Sequence, residues 1–268
     1  MKRLIPVTII LLCALAGCKS QYALLLEGND FNAKYAKGME LYEAGKYMKA
    51  AEMFESLSVV SRGTPQDDTI QFYWGLSNFK ARDFISAEAN LEQFINTFPV
   101  SPFAEEAKFL RLSCMYKSTY RYELDPRPTM RARTAIGEFK IENPGSKYIP
   151  ELDAMLDELN DRLDLKAYKA AHLYYHMEDY LAARYALKNV LKENAENRYR
   201  EDVLYYTAMA AYKYADMSVP SKQKERFLTF IDEYFNLISE YPESKFRKEL
   251  DSLYGKAQKF VKGDSSQQ

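Results

Sequence analysis

"GMELYEAGKYMKAAEMFESL", residues 38–57, aligns without a gap onto "GLSNFKARDFISAEANLEQF", residues 75–94. Each stretch opens on a glycine and reaches a turn pair containing an aromatic (Lys46-Tyr47, Asp83-Phe84). Each then continues with an alanine (Ala50, Ala87) and a large residue four places on (Phe54, Leu91). The offset is 37 residues. A period of that size marks an architecture made by stacking one supersecondary unit. The glycine and alanine have a physical purpose, since two helices approach closely only where a side chain is absent or small.

The pattern continues along the chain. "AEANLEQFINTFPVSPF" (87–103) aligns with "ARTAIGEFKIENPGSKY" (132–148), matching Ala87 to Ala132, Phe94 to Phe139 and Pro99 to Pro144. The first helix of this third unit is expected over about 103–117. Its turn is lengthened by "RYELDPRPT" (121–129), whose two prolines cannot continue a helix interior. A fourth unit is "AAHLYYHMEDYLAARYALKNVL" (170–191), with Asp179-Tyr180 as turn, Ala183 as small contact and Leu187 as large one. A more degenerate fifth pairs 201–215 with 227–241, where Phe227, Phe230, Ile231, Tyr234, Phe235 and Ile238 are spaced as one apolar helix stripe. "FPVSP", "NPGSK" and "YPESK" each place Pro after a helix and Ser two residues later, a stop followed by a candidate N-cap. Between units three and four, "ELDAMLDELNDRLDLKAYK" (151–169) has leucines in helical spacing and no breaker, so one long helix is expected. This arrangement resembles the tetratricopeptide repeat, and predicts an all-α solenoid of about five helix-turn-helix units.

The chain begins differently. Lys2 and Arg3 precede a mostly apolar run from Leu4 to Ala16, the layout of a secretory signal and too short for a span of about 20 apolar residues. At its end, Leu15-Ala16-Gly17-Cys18 resembles the bacterial lipobox. By that resemblance Cys18 becomes the first mature residue, diacylated on sulfur and acylated on nitrogen, and three acyl chains make a durable anchor. Lys19 is not the aspartate that retains such proteins at the inner membrane, so the outer membrane is expected. The expected layout is signal 1–17, lipidated linker 18–30, units one to three over 31–150, connecting helix with units four and five over 151–262, and a disordered tail 263–268.

Composition excludes some classes. Residues 1–17 carry Lys2 and Arg3 and no acid, so their removal takes the net charge from −1 to −3, which suggests no nucleic-acid footprint. Of three cysteines, Cys13 leaves with the signal, Cys18 is lipidated, and Cys114 reads as a buried small hydrophobe in "KFLRLSCMYK". His172 and His176 lie at i, i+4, yet "HLYYH" lacks a metalloprotease glutamate and a third ligand, so they read as exposed groove histidines and not a metal site. No phosphate loop or dinucleotide fingerprint occurs. The expectation is a non-enzyme without a cofactor.

A lipobox followed by five such units resembles the BamD family of lipoproteins, which belongs to the machinery that folds barrels into the outer membrane. The likeness rests on Asp125-Pro126 in the prolonged third turn, Pro144-Gly145-Ser146 as the following stop, and "LKAYKAAHLYY" entering the fourth unit. The resemblance implies a periplasmic scaffold at the outer membrane. Its C-terminal units would hold a POTRA domain of a BamA-like barrel, beside other lipoproteins of the complex, and its N-terminal units would receive unfolded barrel precursors. The repeat's inner-face positions supply the peptide groove: Tyr35, Met39 and Tyr42, flanked by Asn32 and Glu43, then Phe72, Leu76 and Phe79, flanked by Thr69 and Lys80. Arg121, Arg127, Arg131 and Arg133, in and after the long turn, are candidates for partner docking, since arginine is favoured at interface hot spots. The competing reading is a lipidated repeat adaptor for cell-wall or polysaccharide machinery. A sugar binder should show exposed Trp with clustered Asp and Asn, whereas Trp74, the sole tryptophan, is expected to be packed beside Gly75.

Overall fold

The computed structural model describes residues 20–262, so the signal segment 1–17, Cys18 and the tail 263–268 lie outside the described residues. Among the described residues every element is a helix: α1 Gln21–Glu27, α2 Phe31–Glu43, α3 Tyr47–Leu57, α4 Asp67–Lys80, α5 Phe84–Thr97, α6 Ala104–Lys117, α7 Arg127–Glu142, α8 Ile149–His176, α9 Tyr180–Glu193, α10 Arg200–Asp216, α11 Pro220–Glu240 and α12 Arg247–Lys262. None of them is long and apolar enough to cross a membrane. The class is all-α, built of the tetratricopeptide-like helix pairs that the period predicts.

Contacts divide the chain into two units, one running to Thr119 and including Thr134–Ile149, the other comprising Tyr120–Arg133 and the chain from Pro150 on. Residues 120–133, placed by the sequence reading with the third pair, cluster with the second unit. The reason is Lys166 on α8, whose ammonium donates to the carbonyls of Tyr122 (3.0 Å), Glu123 (3.4 Å) and Leu124 (2.8 Å). The long turn is also shorter than expected, because α7 begins at Arg127. Pro128 then lies in the first turn, where a missing N–H is no loss. Asp125 Oδ1 accepts from the Arg127 amide at 3.0 Å and fixes the entry.

In the first unit, Ala50, Phe54, Ala87 and Leu91 are fully buried, and Gly38 and Gly75 are where α2 meets Phe54 and α4 meets Leu91. Leu41, Ala50, Phe54, Leu57 and Ile70 form one core cluster, with Tyr22 from α1 packed on it. The second unit repeats this pattern: Ala183 and Leu187 are fully buried, and Tyr168, Ala171, Leu187, Val190 and Val203 share a cluster. A larger cluster gathers Phe227, Phe230, Tyr234 and Leu237 of α11 with Ala208 and Tyr212 of α10 and Leu250 and Ala257 of α12. Phe235, expected in the α11 stripe, is 49 % exposed. At about 100° per residue it sits one step round from Tyr234, and Leu237 takes the buried place instead.

Two turn designs recur. Within pairs, Gly45, Arg82 and Glu178 have φ of 71°, 66° and 61°. Each is followed by an amide that reaches back to the preceding helix, Lys46 to Leu41 O, Asp83 to Asn78 O and Asp179 to Tyr174 O. Between pairs, a side-chain oxygen accepts from the amide two residues on: Ser101 from Phe103, Ser146 from Tyr148, Asn197 from Tyr199 and Ser244 from Phe246. These residues therefore build the turn just ahead of the helix and do not cap the helix itself. The aromatic they position stacks on the preceding pair: Phe103 on Phe72 at 4.5 Å, Tyr148 on Phe109 at 4.1 Å, Tyr199 on Tyr168 at 5.5 Å and Phe246 on Tyr205 at 3.8 Å, all within 10° of parallel.

Candidate functional site

The predicted groove residues divide into two sets. Tyr35, Met39 and Tyr42 are half-buried on α2, seated against the first core cluster with one edge outward. Tyr42 meets Tyr73 edge-on at 5.0 Å and Tyr47 at 5.5 Å, and burial raises its hydroxyl above the ordinary phenol range. Phe79 is half-buried and meets Phe84 edge-on at 5.8 Å. Phe72 and Leu76 depart from expectation: they are only 2 % and 7 % exposed. Phe72 is covered by Phe103 on one face and meets Phe94 at 5.7 Å, so it belongs to the core. Tyr73, one position on, is half-buried and packs on Tyr42 and Phe54 instead.

On another face of this unit, a cleft of about 440 Å³ is lined by Met48, Glu52, Glu55, Trp74, Asn78, Asp83 and Asn90, among others. Trp74 is half-buried there instead of packed away. Asn78 donates its amide to Asn90 at 2.8 Å, and Glu52 accepts from the Tyr22 hydroxyl at 2.5 Å. Residue spacing gave no sign of this cleft, because its walls come from α3, α4 and α5 together.

The four arginines are exposed in the second unit. Arg127 pairs with Asp125 at 2.8 Å, which holds that carboxyl below the ordinary range. Arg133 lines a polar cavity of about 600 Å³ with Asn160, Asp164, Asn194, Asn197 and Arg198. Asp164 organises that cavity, accepting from Asn194 Nδ2 at 2.8 Å and the Arg198 amide at 3.1 Å. The Arg198 guanidinium is tied to Asp157. With Lys166 clamping the segment before α7, the arginines stand on a fixed base.

Of the two histidines, His176 is exposed as expected and His172 is not. His172 is 6 % exposed, packed at 4.0 Å between ring centroids on Tyr206 and at 4.4 Å on His176, and its Nε2 has no partner. Burial, then the neighbouring His176 and Lys169, push its pKa down to about 4. No group of three potential metal ligands exists among the described residues. Cys114 is fully buried, and burial pushes its thiol up to about 12, which suits packing and opposes nucleophilicity.

Residues 28–227 match the family model YfiO, described as an outer membrane lipoprotein. The chain is similar to the outer membrane protein assembly factor BamD of Rickettsia prowazekii, at 24 % identity over 91 % of this chain and 93 % of that one. It is similar to the BamD of Caulobacter vibrioides at 20 % identity over 74 % of this chain and 66 % of that one. Among solved structures, a thermophilic TPR protein of Thermus thermophilus aligns over 85 % of this chain and 98 % of its own at 16 % identity, with a TM-score of 0.32. The fold rests on the helix pairs themselves.

Proposed function

We propose a function from this premise: the chain belongs to the YfiO family of outer membrane lipoproteins. It is an outer membrane protein assembly factor, as its relatives are named. It acts as a non-enzymatic scaffold, anchored through Cys18 and facing the periplasm. The first unit receives unfolded barrel precursors. The second unit docks the POTRA region of a BamA-like barrel, with Arg121, Arg127, Arg131 and Arg133 at the contact, beside other lipoproteins of the assembly. The observation that supports the precursor site is half-exposed Tyr35, Met39 and Tyr42 on one face of α2, with half-exposed Phe79 at the equivalent place on α4. Rigid aromatics offer an extended chain large apolar contact at low entropic cost.

Photo-crosslinking in cells from positions 42 and 131 tests both surfaces. Barrel precursors captured at 42 and a POTRA-bearing protein at 131 are the expected products. A cell-wall enzyme at both positions would replace this reading with the adaptor reading, which the half-exposed Trp74 beside Asn78, Asn90 and Asp83 favours.

A further inference from the structure

The last helix presents a face that the fold does not use. α12 packs through Leu250 and Ala257, which are fully buried, with Leu253, Tyr254 and Val261 beside them. At about 100° per residue, Lys248, Lys256, Lys259 and Lys262 gather within about 120° of arc on the opposite side, spread over about 21 Å of axis. All four are exposed, and no ion pair holds any of them among the described residues. The acids of this helix point elsewhere: Glu249 accepts from the Tyr205 hydroxyl at 2.9 Å and Asp251 from the Tyr234 hydroxyl at 2.7 Å. Ser252 and Gly255 lie between the lysines, and a Cβ on Gly255 would meet nothing within 4 Å. Phe260, 46 % exposed, borders the stripe. α12 also lies beyond residues 28–227, which the family model matches.

We propose that this lysine stripe rests on the anionic phospholipid headgroups of the bilayer, with Phe260 at the interface. Charge complementarity carries the argument. The stripe contains lysine only, and protein interfaces deplete lysine and favour the forked guanidinium of arginine. A lipid surface asks only for mobile point charges on flexible stems along one straight face, and that is what α12 offers. The bilayer's nearness rests on the Cys18 anchor proposed above, so the test removes the anchor.

The full chain with Cys18→Ser is mixed with vesicles of phosphatidylglycerol and phosphatidylcholine, or of phosphatidylcholine alone, and floated on a density gradient. Binding to the anionic vesicles only, and its loss at high salt, is expected. Replacing Lys256, Lys259 and Lys262 with Gln should weaken binding roughly a hundredfold, at about fivefold per lysine. The Lys→Arg triple should bind as the parent does, and Gln at the exposed Lys46, Lys147 and Lys192 should change nothing. Vesicle binding unaffected by the α12 triple overturns the proposal. So does poly-glutamate that displaces the vesicles at equal charge, which would make the stripe a site for an acidic protein. Failure of Cys18 lipidation in cells would overturn the anchor and leave the vesicle result standing.

Discussion

A Cβ placed on Gly38 would stand 2.9 Å from Cε1 of Phe54, a ring with no exposed surface. Gly75 has the same relation to Leu91, at 2.9 Å from Cδ2. Alanine is the better helix former by about 1 kcal/mol, so propensity alone favours substitution. Overpacking opposes it by about 1–3 kcal/mol, and overpacking should win at both sites. Gly38→Ala and Gly75→Ala are expected to lower the urea midpoint. Gly137→Ala in α7, where a Cβ meets nothing within 4 Å, should raise it. Equal shifts at Gly38 and Gly137 would show that the close contact is not limiting.

The turns within pairs give a second test. Gly45 has open space at its Cβ position, so Gly45→Ala should cost about 1 kcal/mol through its positive φ alone. Arg82 and Glu178 hold the same conformation with side chains attached. Arg82→Gly and Glu178→Gly should therefore leave the urea midpoint unchanged or raise it, against the usual trend for glycine. A drop at both would mean that contacts of these side chains outweigh the strain.

Phe72 and Tyr42 should respond differently to truncation. Phe72→Ala empties a core site and is expected to cost about 3–5 kcal/mol. Tyr42→Ala with Phe79→Ala removes half-exposed surface, so the fold should persist while peptide capture weakens. Fluorescence anisotropy of an aromatic-ended barrel peptide, read beside a thermal melt, separates the two effects.

Buried His172 makes stability depend on pH. Its folded pKa of about 4 lies below the ordinary 6.5, so between those values the unfolded chain binds a proton that the folded chain does not. Stability is therefore full above about 6.5 and falls as the pH drops toward 4. His172→Phe should flatten that part of the profile. Because the unpartnered Nε2 is also removed, the variant should melt no lower than the parent at neutral pH. Melts at stepped pH check both statements.

Cys18→Ser removes the residue proposed to carry the acyl chains, and the helix pairs over residues 31–240 do not include it. The variant should fold normally and leave the membrane fraction after a high-salt wash. Membrane retention through that wash would mean that something other than lipid holds the chain.

The helical class, the 37-residue period and the close approach of Gly38 to α3 were legible in the sequence, because helix periodicity and glycine's missing side chain act over a few residues. The long α8 followed from the same local signal, a run of leucines without a breaker. Which side of each helix meets solvent was not local. Phe72 and Tyr35 occupy the same repeat position, but Phe103 arrives from a turn 31 residues further on and covers Phe72, while Tyr35 stays half-exposed. The i, i+4 spacing of His172 and His176 predicts exposure for both, and Tyr206 from α10 buries His172. The Trp74 cleft likewise needs three helices to exist. Burial depends on residues distant in the chain but adjacent in space, so tertiary packing alone decided which aromatics belong to the core and which keep an exposed edge.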